Sequence, residues 1–238
     1  MNTGDDINAE NANWQFSGDT AKHFDEHIRK SVPIYDEGHD IICNIADYFL
    51  QSNSCAYELG SATGELTLKL AGKNSHKAAI KFVGIDCEMD MINEAKRKQD
   101  ESTFSNVQFV HDDILTYDFS GADLIIAYYT IQFIRPRDRQ KLIDKIYKSL
   151  NWGGCFLMFE KVRAPDARFQ DMMTGIYNEY KVQQGYKSDE IMAKSNSLKG
   201  VLEPFSTQGN IDLLKRAGFV DYMSVSKYIC FEGFMAIK

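Results

Sequence analysis

From Cys55 to Lys161 the chain alternates short apolar runs with amphipathic stretches, and that rhythm leaves few folds open. Strands are predicted at CAYEL (55–59), KFVGID (81–86), VQFVHDD (107–113), ADLIIAYYT (122–130) and CFLMFEK (155–161). Helices are predicted at GELTLKLAGK (64–73), DMINEAKRKQD (90–100) and PRDRQKLIDKIYKSL (136–150). The last of these carries Leu142, Ile146 and Leu150 on one face and is ended by the turn NWGG. Strands that take turns with helices build a parallel, doubly wound sheet with right-handed crossovers. The apolar run of ADLIIAYYT suits a central place, where both faces of a strand are covered.

The flanks depart from that rhythm. Residues 1–12 are polar and acidic and are expected to fray. WQFSGDTAKHFDEHIRK (14–30) reads as short helical pieces anchored by Trp14, Phe16, Phe24 and Ile28. HDIICNIADYFL (39–50) reads as an amphipathic helix, with Ile41, Ile42, Ile45 and Phe49 in helical spacing. Two helical stretches fill residues 164–205, followed by the helix TQGNIDLLKRAGF and a tail of two strand-like runs. The tail turns near Glu232–Gly233 or a little earlier. The expectation is one α/β domain over residues 1–238, with residues 14–50 and 164–205 contributing a helical cap to the active-site lid.

Charge and composition narrow the function. The net charge is −7, from 34 acidic and 27 basic residues, without a dense basic block; EAKRKQD reads as a solvated helix face. A nucleic-acid partner is therefore disfavoured, and a small molecule, free or as an acyl group on a carrier protein, fits better. No apolar run approaches the ~18–20 residues of a membrane span. The start MNTGDDINAENANWQF lacks the basic-then-apolar pattern of a secretory signal, so no membrane association and a cytoplasmic location are expected. The five cysteines are widely spaced with no C-x-x-C, and Cys55, Cys155 and Cys230 read as small buried hydrophobes. His23 and His27 are four apart but have no third ligand nearby, so no metal is expected.

Chemistry concentrates where strands end. In YELGSATG, Glu58 closes a strand, Gly60 lets the backbone turn tightly against a ligand, and Gly64 opens a helix whose free N–H groups favour an anion. In VGIDCEMDMI, Asp86 ends the next strand, where a carboxylate accepts hydrogen bonds from both ribose hydroxyls. In FVHDDILTYDF, Asp112 and Asp113 end the third, placed to receive the exocyclic amine of adenine. Acidic groups at three consecutive strand ends suit an adenosine, and the absence of G-x-G-x-x-G speaks against a dinucleotide.

These motifs, with ADLIIAYYTIQFI and LNWGGCFLMFEK, resemble the class I S-adenosylmethionine-dependent methyltransferases over roughly residues 30–238. The resemblance implies a Rossmann-like seven-stranded sheet with an antiparallel last strand, and S-adenosyl-L-methionine as cofactor. It maps the family's acidic-x-Gly-x-Gly-x-Gly loop onto Glu58, Gly60, Ala62 and Gly64, so Ala62 departs from the pattern. It adds Tyr35, Ser61, Cys87, Met91, Ile114 and Tyr128 to the cofactor contacts. RKSVPIYDEGHDII, TIQFIRPRDRQKLIDKIYKSLNWGG, EK and NEYKVQQGY are similar, in addition, to the carboxy-S-adenosylmethionine synthase group of tRNA wobble-uridine modification. That group carboxylates the cofactor's methyl using prephenate, and its resemblance implies homodimers paired through cap helices. It also implies an arginine for the new carboxylate in MAKSNSL and an asparagine at the end of strand four; here those positions are Ser195, beside Asn196, and Tyr128.

A carboxylate without a cationic partner is costly to bury. The reading is accordingly a methyltransferase acting on a small-molecule acceptor by in-line displacement, in which alignment and desolvation supply most of the rate. The alternatives are a carboxy-S-adenosylmethionine synthase-like enzyme and a non-catalytic cofactor-binding protein. Tyr128, Tyr129, Glu160, His39 and His111 are the candidates for a general base, and Tyr35, Tyr128 and Glu160 form the expected catalytic set. In the insert, Phe169, Met172, Met173, Ile176, Tyr177 and Tyr180 recur at helical spacing, first as a packing face and second as an apolar lining for the acceptor.

Overall fold

The alternating segment folds as its rhythm requires. The computed structural model describes residues 1–238 and every side chain except that of Asp19. Two helices, α1 (Asp19–Ser31) and α2 (Tyr35–Phe49), lead into β1 (Cys55–Leu59), α3 (Glu65–Lys73), β2 (Lys81–Asp86), α4 (Met89–Asp100) and β3 (Val107–His111). Then come β4 (Ala122–Tyr128), a 3₁₀ turn (Ile131–Phe133), α5 (Pro136–Ser149) and β5 (Leu150–Lys161). The chain ends with α6 (Ala167–Gln183), α7 (Ser188–Ser197), α8 (Thr207–Ala217), β6 (Asp221–Tyr228) and β7 (Phe231–Ile237).

The seven strands lie in the order β3-β2-β1-β4-β5-β7-β6. β1 to β5 pair in parallel, while β7 runs antiparallel to both β5 and β6. The order reverses between β1 and β4, and the carboxyl ends of strands at such a switch point open the crevice in which ligands bind. Leu59, Ile85 and Ala127 share one register row there.

Side chains that alternate along each strand feed two cores. Leu124 and Ile126 of β4 meet Ile42, Leu66 and Ile92 from α2, α3 and α4. Ile125 and Ala127 meet Leu142, Ile146 and Leu213 from α5 and α8 on the other face. α2 thus serves the sheet, with Ile42 and Ala46 wholly buried.

Several boundaries differ from expectation for local reasons. α2 begins at Tyr35, after Ile34 turns the chain at φ 52°. β3 stops at His111 because the Asp113 carboxylate accepts the Leu115 N–H and pulls the chain into a turn. β4 stops before Tyr129, whose φ is +60°. NWGG does not end α5 as a free turn but forms the irregular start of β5, where the Gly153 N–H donates to the Lys238 carbonyl. The tail turns at Ile229–Cys230.

Residues 1–12 are the larger correction. Ile7 and Ala9 bury with Trp14 against Leu198 and Val201. The Ala12 and Trp14 N–H groups donate to the carbonyls of Asn196 and Ser197, strapping the segment to the end of α7. The acidity that argued for solvation is used internally: Asp5 pairs with His27 and Lys30 at 2.8 Å each. Among the described residues, no helix is long and apolar enough to cross a membrane.

Candidate active site

The loop after β1 is shaped by close approach. Gly60 has φ +73°, and a Cβ there would stand 2.5 Å from the Thr130 Oγ1. Gly64, φ +78°, opens α3 where a Cβ would stand 2.4 Å from the Phe109 ring. Ala62 also lies in the left-handed region, φ +45°, which explains why its position in the motif favours glycine. The Asp86 carboxylate accepts from the N–H groups of Ala62 and Glu88, at 2.9 Å each, and so ties the loop to the end of β2. Burial nevertheless raises its pKa.

Glu58 is buried one residue below the loop and accepts from the Thr67 hydroxyl. Burial lifts its pKa to about 8, against the effect of that hydrogen bond. The Ser61 hydroxyl is buried without a protein partner among the described residues, a polar group left for a ligand to satisfy. Asp112 and Asp113 stand further along the rim; Asp112 accepts the Asp113 N–H at 2.7 Å.

These residues edge a cavity of about 1360 Å³. Tyr35, Glu58, Gly60, Ser61, Asp86, Cys87, Met91, Asp112, Asp113, Ile114 and Tyr128 all line it; Gly64 lies behind the wall. The rings of Tyr35 and Tyr128 meet at 5.1 Å, and the Tyr128 hydroxyl donates to the Tyr35 carbonyl at 2.6 Å. Burial raises both phenol pKa values, so both stay protonated. Gly38 makes room for that hydroxyl: a Cβ there would lie 2.1 Å from it.

Three expected candidates sit elsewhere. Glu160 is not part of the cavity wall; its carboxylate accepts the Ile131 N–H at 2.9 Å and holds the 3₁₀ turn. Burial lifts its pKa to about 8. His39 also lies outside the wall, neutral because burial lowers its pKa to about 4. His111 is engaged with the Cys87 carbonyl at 2.9 Å. In the insert only Met173 and Tyr177 of the apolar set reach the cavity, whereas Phe169, Met172 and Ile176 are exposed. Sequence reasoning passed over Thr130 and Gln132 after β4, and the lysines 161 and 181, and set Lys194 aside as pointing elsewhere on its helix; all five are in the wall. The first two stand in the quoted TIQFI motif, and Lys161 in EK, but nothing in those strings tells which residues face the ligand.

Residues 56–154 match the methyltransferase-domain family model. The chain is 40% identical over 225 residues to the carboxy-S-adenosyl-L-methionine synthase of Nautilia profundicola, covering 94% of each. It is 34% identical over 226 residues to the enzyme of that name from Staphylococcus epidermidis, covering 94% of this chain and 97% of the other. The chain belongs to the carboxy-S-adenosyl-L-methionine synthase family. Among solved structures, human N-acetylserotonin methyltransferase in complex with S-adenosylmethionine superposes with a TM-score of 0.62. That match covers 93% of this chain and 56% of the other at 17% identity, a likeness of fold.

Membership makes this a class I S-adenosylmethionine-dependent methyltransferase-like protein, with S-adenosyl-L-methionine as cofactor, as expected. The residues present suit it: a loop bare of side chains, an orphaned Ser61 hydroxyl, and a carboxylate at the end of β2. The departures from the family pattern also lie in the wall. Tyr128 caps β4, and Ser195 lies on α7 beside Lys194. The Lys194 ammonium does not take over the role of the arginine: it lies over the Trp14 ring and 2.9 Å from His27 Nε2.

Proposed function

We propose that this chain transfers the methyl group of S-adenosyl-L-methionine to a small-molecule acceptor. The observation that carries the reading is the size of the cavity. At about 1360 Å³ it exceeds the roughly 300–1,000 Å³ of a single small-ligand site, leaving a chamber beyond the carboxylate rim for a second molecule. When bound, the cofactor supplies a methyl group already activated by its sulfonium. The protein's own work is alignment and exclusion of water. Asp86 takes the ribose, Asp112, Asp113 and Ile114 the adenine side, and the Gly60–Gly64 loop the methionine portion, flanked by Cys87 and Met91.

Tyr35 and Tyr128, locked to each other, shape the passage between rim and chamber. Both remain protonated, so they position the reactants rather than remove a proton. Glu160 acts indirectly, by fixing the 3₁₀ turn from which Gln132 reaches the cavity. α1 and residues 164–205 form the lid in this reading. Two copies associate through the exposed α6 residues Phe169, Met172 and Ile176, in the cytoplasm.

Carboxylation of the cofactor itself is the second reading, favoured by the names of the relatives. Against it stands Ser195 where the family resemblance implies arginine. Mass spectrometry of the cofactor retained on purification separates the two. S-adenosylmethionine or its demethylated product is expected; a species heavier by the mass of carbon dioxide refutes methyl transfer. A screen with labelled methyl donor against amino acids, keto acids, phenols and polyketide intermediates then identifies the acceptor.

A further inference from the structure

Three tyrosine rings converge on one stretch of the cavity wall. Tyr35 opens α2, Tyr128 ends β4 and Tyr129 follows it, and all three line the cavity. The rings of Tyr35 and Tyr129 lie nearly parallel, 23° apart, with their centres separated by 6.5 Å. The Tyr128 ring lies across them at tilts of 55° and 57°, 5.1 and 4.6 Å from those centres. Each ring is held in place. Tyr35 packs against the His39 ring at 4.6 Å. The Tyr128 hydroxyl fills the space left by Gly38 and donates to the Tyr35 carbonyl. Tyr129 sits at φ +60°, a backbone conformation that bulky residues rarely adopt. It is kept there by its N–H on the Phe159 carbonyl at 2.8 Å and by Gln132 Nε2, which donates to its own carbonyl at 3.1 Å.

Ordinary packing does not call for a strained backbone to aim one ring of a cluster, and such strain gathers at functional sites. The face of an aromatic ring is electron-rich and attracts a cation within about 6 Å of its centre. A cation entering on the side away from Tyr128 lies within that reach of all three rings. Acidic groups lead among the charges that bear on them: Asp25 and Glu65 at Tyr35, opposed there by Arg29, and Asp36 at Tyr128. Glu58 and Glu160, whose pKa values burial lifts to about 8, add to this only where they ionise. The surroundings thus favour a positive guest. Donor and product of methyl transfer differ in this respect: the S–CH3 electron pair stays on sulfur, so a sulfonium becomes a neutral thioether.

We propose that Tyr35, Tyr128 and Tyr129 form a three-sided aromatic box that selects the positively charged methyl donor over its neutral thioether product. The box deepens the reading of Tyr35 and Tyr128 as the passage between rim and chamber, and rests on it. Its rings read the onium charge rather than the shape of the methyl group. They hold the donor firmly before transfer and slacken once the charge is gone, which favours release of the spent cofactor. Tyr128 completes the box at the position where the family resemblance implies asparagine, so the device belongs to this chain and not to the shared scaffold.

The test titrates full-length protein calorimetrically with three ligands: S-adenosylmethionine, S-adenosylhomocysteine, and sinefungin, in which an ammonium-bearing carbon replaces the sulfonium. Tyr129→Leu should weaken the two cations about tenfold more than the neutral thioether. Tyr129→Phe keeps the ring and should preserve the wild-type preference. If Tyr129→Leu does not fold, replacing Tyr129 by phenylalanines of increasing fluorination keeps the shape while draining charge from the ring face. Affinity for the cations should then fall stepwise while that for the thioether holds. A role in packing alone would lower all three affinities together. Equal losses for cations and thioether, or losses for none, overturn the box. Wild-type protein that binds none of the three overturns the cofactor placement, and the box with it.

Discussion

Replacing Gly60 by alanine measures how much of the site depends on one bare backbone position. The new Cβ would lie 2.5 Å from Thr130 Oγ1 and 2.6 Å from its Cγ2, so the threonine must rotate. Its hydroxyl now donates to the Leu59 carbonyl at 2.8 Å, and rotation breaks that bond. Holding a non-glycine residue at φ +73° costs about 1–2 kcal/mol, and the lost hydrogen bond about 0.5–1.5 kcal/mol. The total, about 1.5–3.5 kcal/mol, corresponds to a fall in Tm of roughly 3–14 °C for a chain of this size. Because Thr130 also lines the cavity, S-adenosylhomocysteine affinity should fall at least about tenfold in the same variant. Differential scanning calorimetry and isothermal titration read the two effects. The double variant Gly60→Ala/Thr130→Ala should be no less stable than Gly60→Ala alone, since the clash and the hydrogen bond disappear together. A Gly60→Ala protein melting within about a degree of wild type with unchanged affinity would refute the reasoning.

Other perturbations test separate parts of the site. Asp86→Ala should lose most cofactor affinity by removing the ribose acceptor and freeing the Ala62 and Glu88 N–H groups; near-wild-type binding by calorimetry would sink that assignment. Ala62→Gly relieves a left-handed alanine and should leave Tm equal to or above wild type, a clear drop in the melting curve being the contrary result. Glu160→Gln keeps an acceptor for Ile131 without the charge. The Glu160 pKa in the folded protein, about 8, is above its ordinary 4.5, so wild type loses stability as pH rises between those values. The variant's relative stability should therefore grow across that range and level off above it, as followed by denaturant titration. Ser195→Arg should raise affinity for the carboxylated cofactor, checked by competition against S-adenosylmethionine.

The strands and the rim were legible because both rest on local signals. Apolar runs bounded by glycine and aspartate place β1, β2 and β4, and strand ends place Glu58, Asp86 and Asp112. The orientation of β5 was not legible. Helices cover both of its faces, so it has no polar side from which to count alternation. Leu157 and Phe159 face the α2 side, Phe156 and Met158 the α5 side. Continuing that parity turns Glu160 away from the cavity and Lys161 into it, one residue from expectation. Residues 1–12 were misread because their partners, His27, Tyr186 and Asn196, are remote in sequence, and composition carries no trace of such contacts.

The strap that joins Trp14 to Ser197 sets an order of events. It lies far ahead of α7 in the sequence, yet it finds its berth only after α7 has been made. Thr3 and Trp14, which the strap holds in place, form part of the cavity wall. A nascent or truncated chain lacking that last closure would hold its cofactor in a vessel open to water on one side.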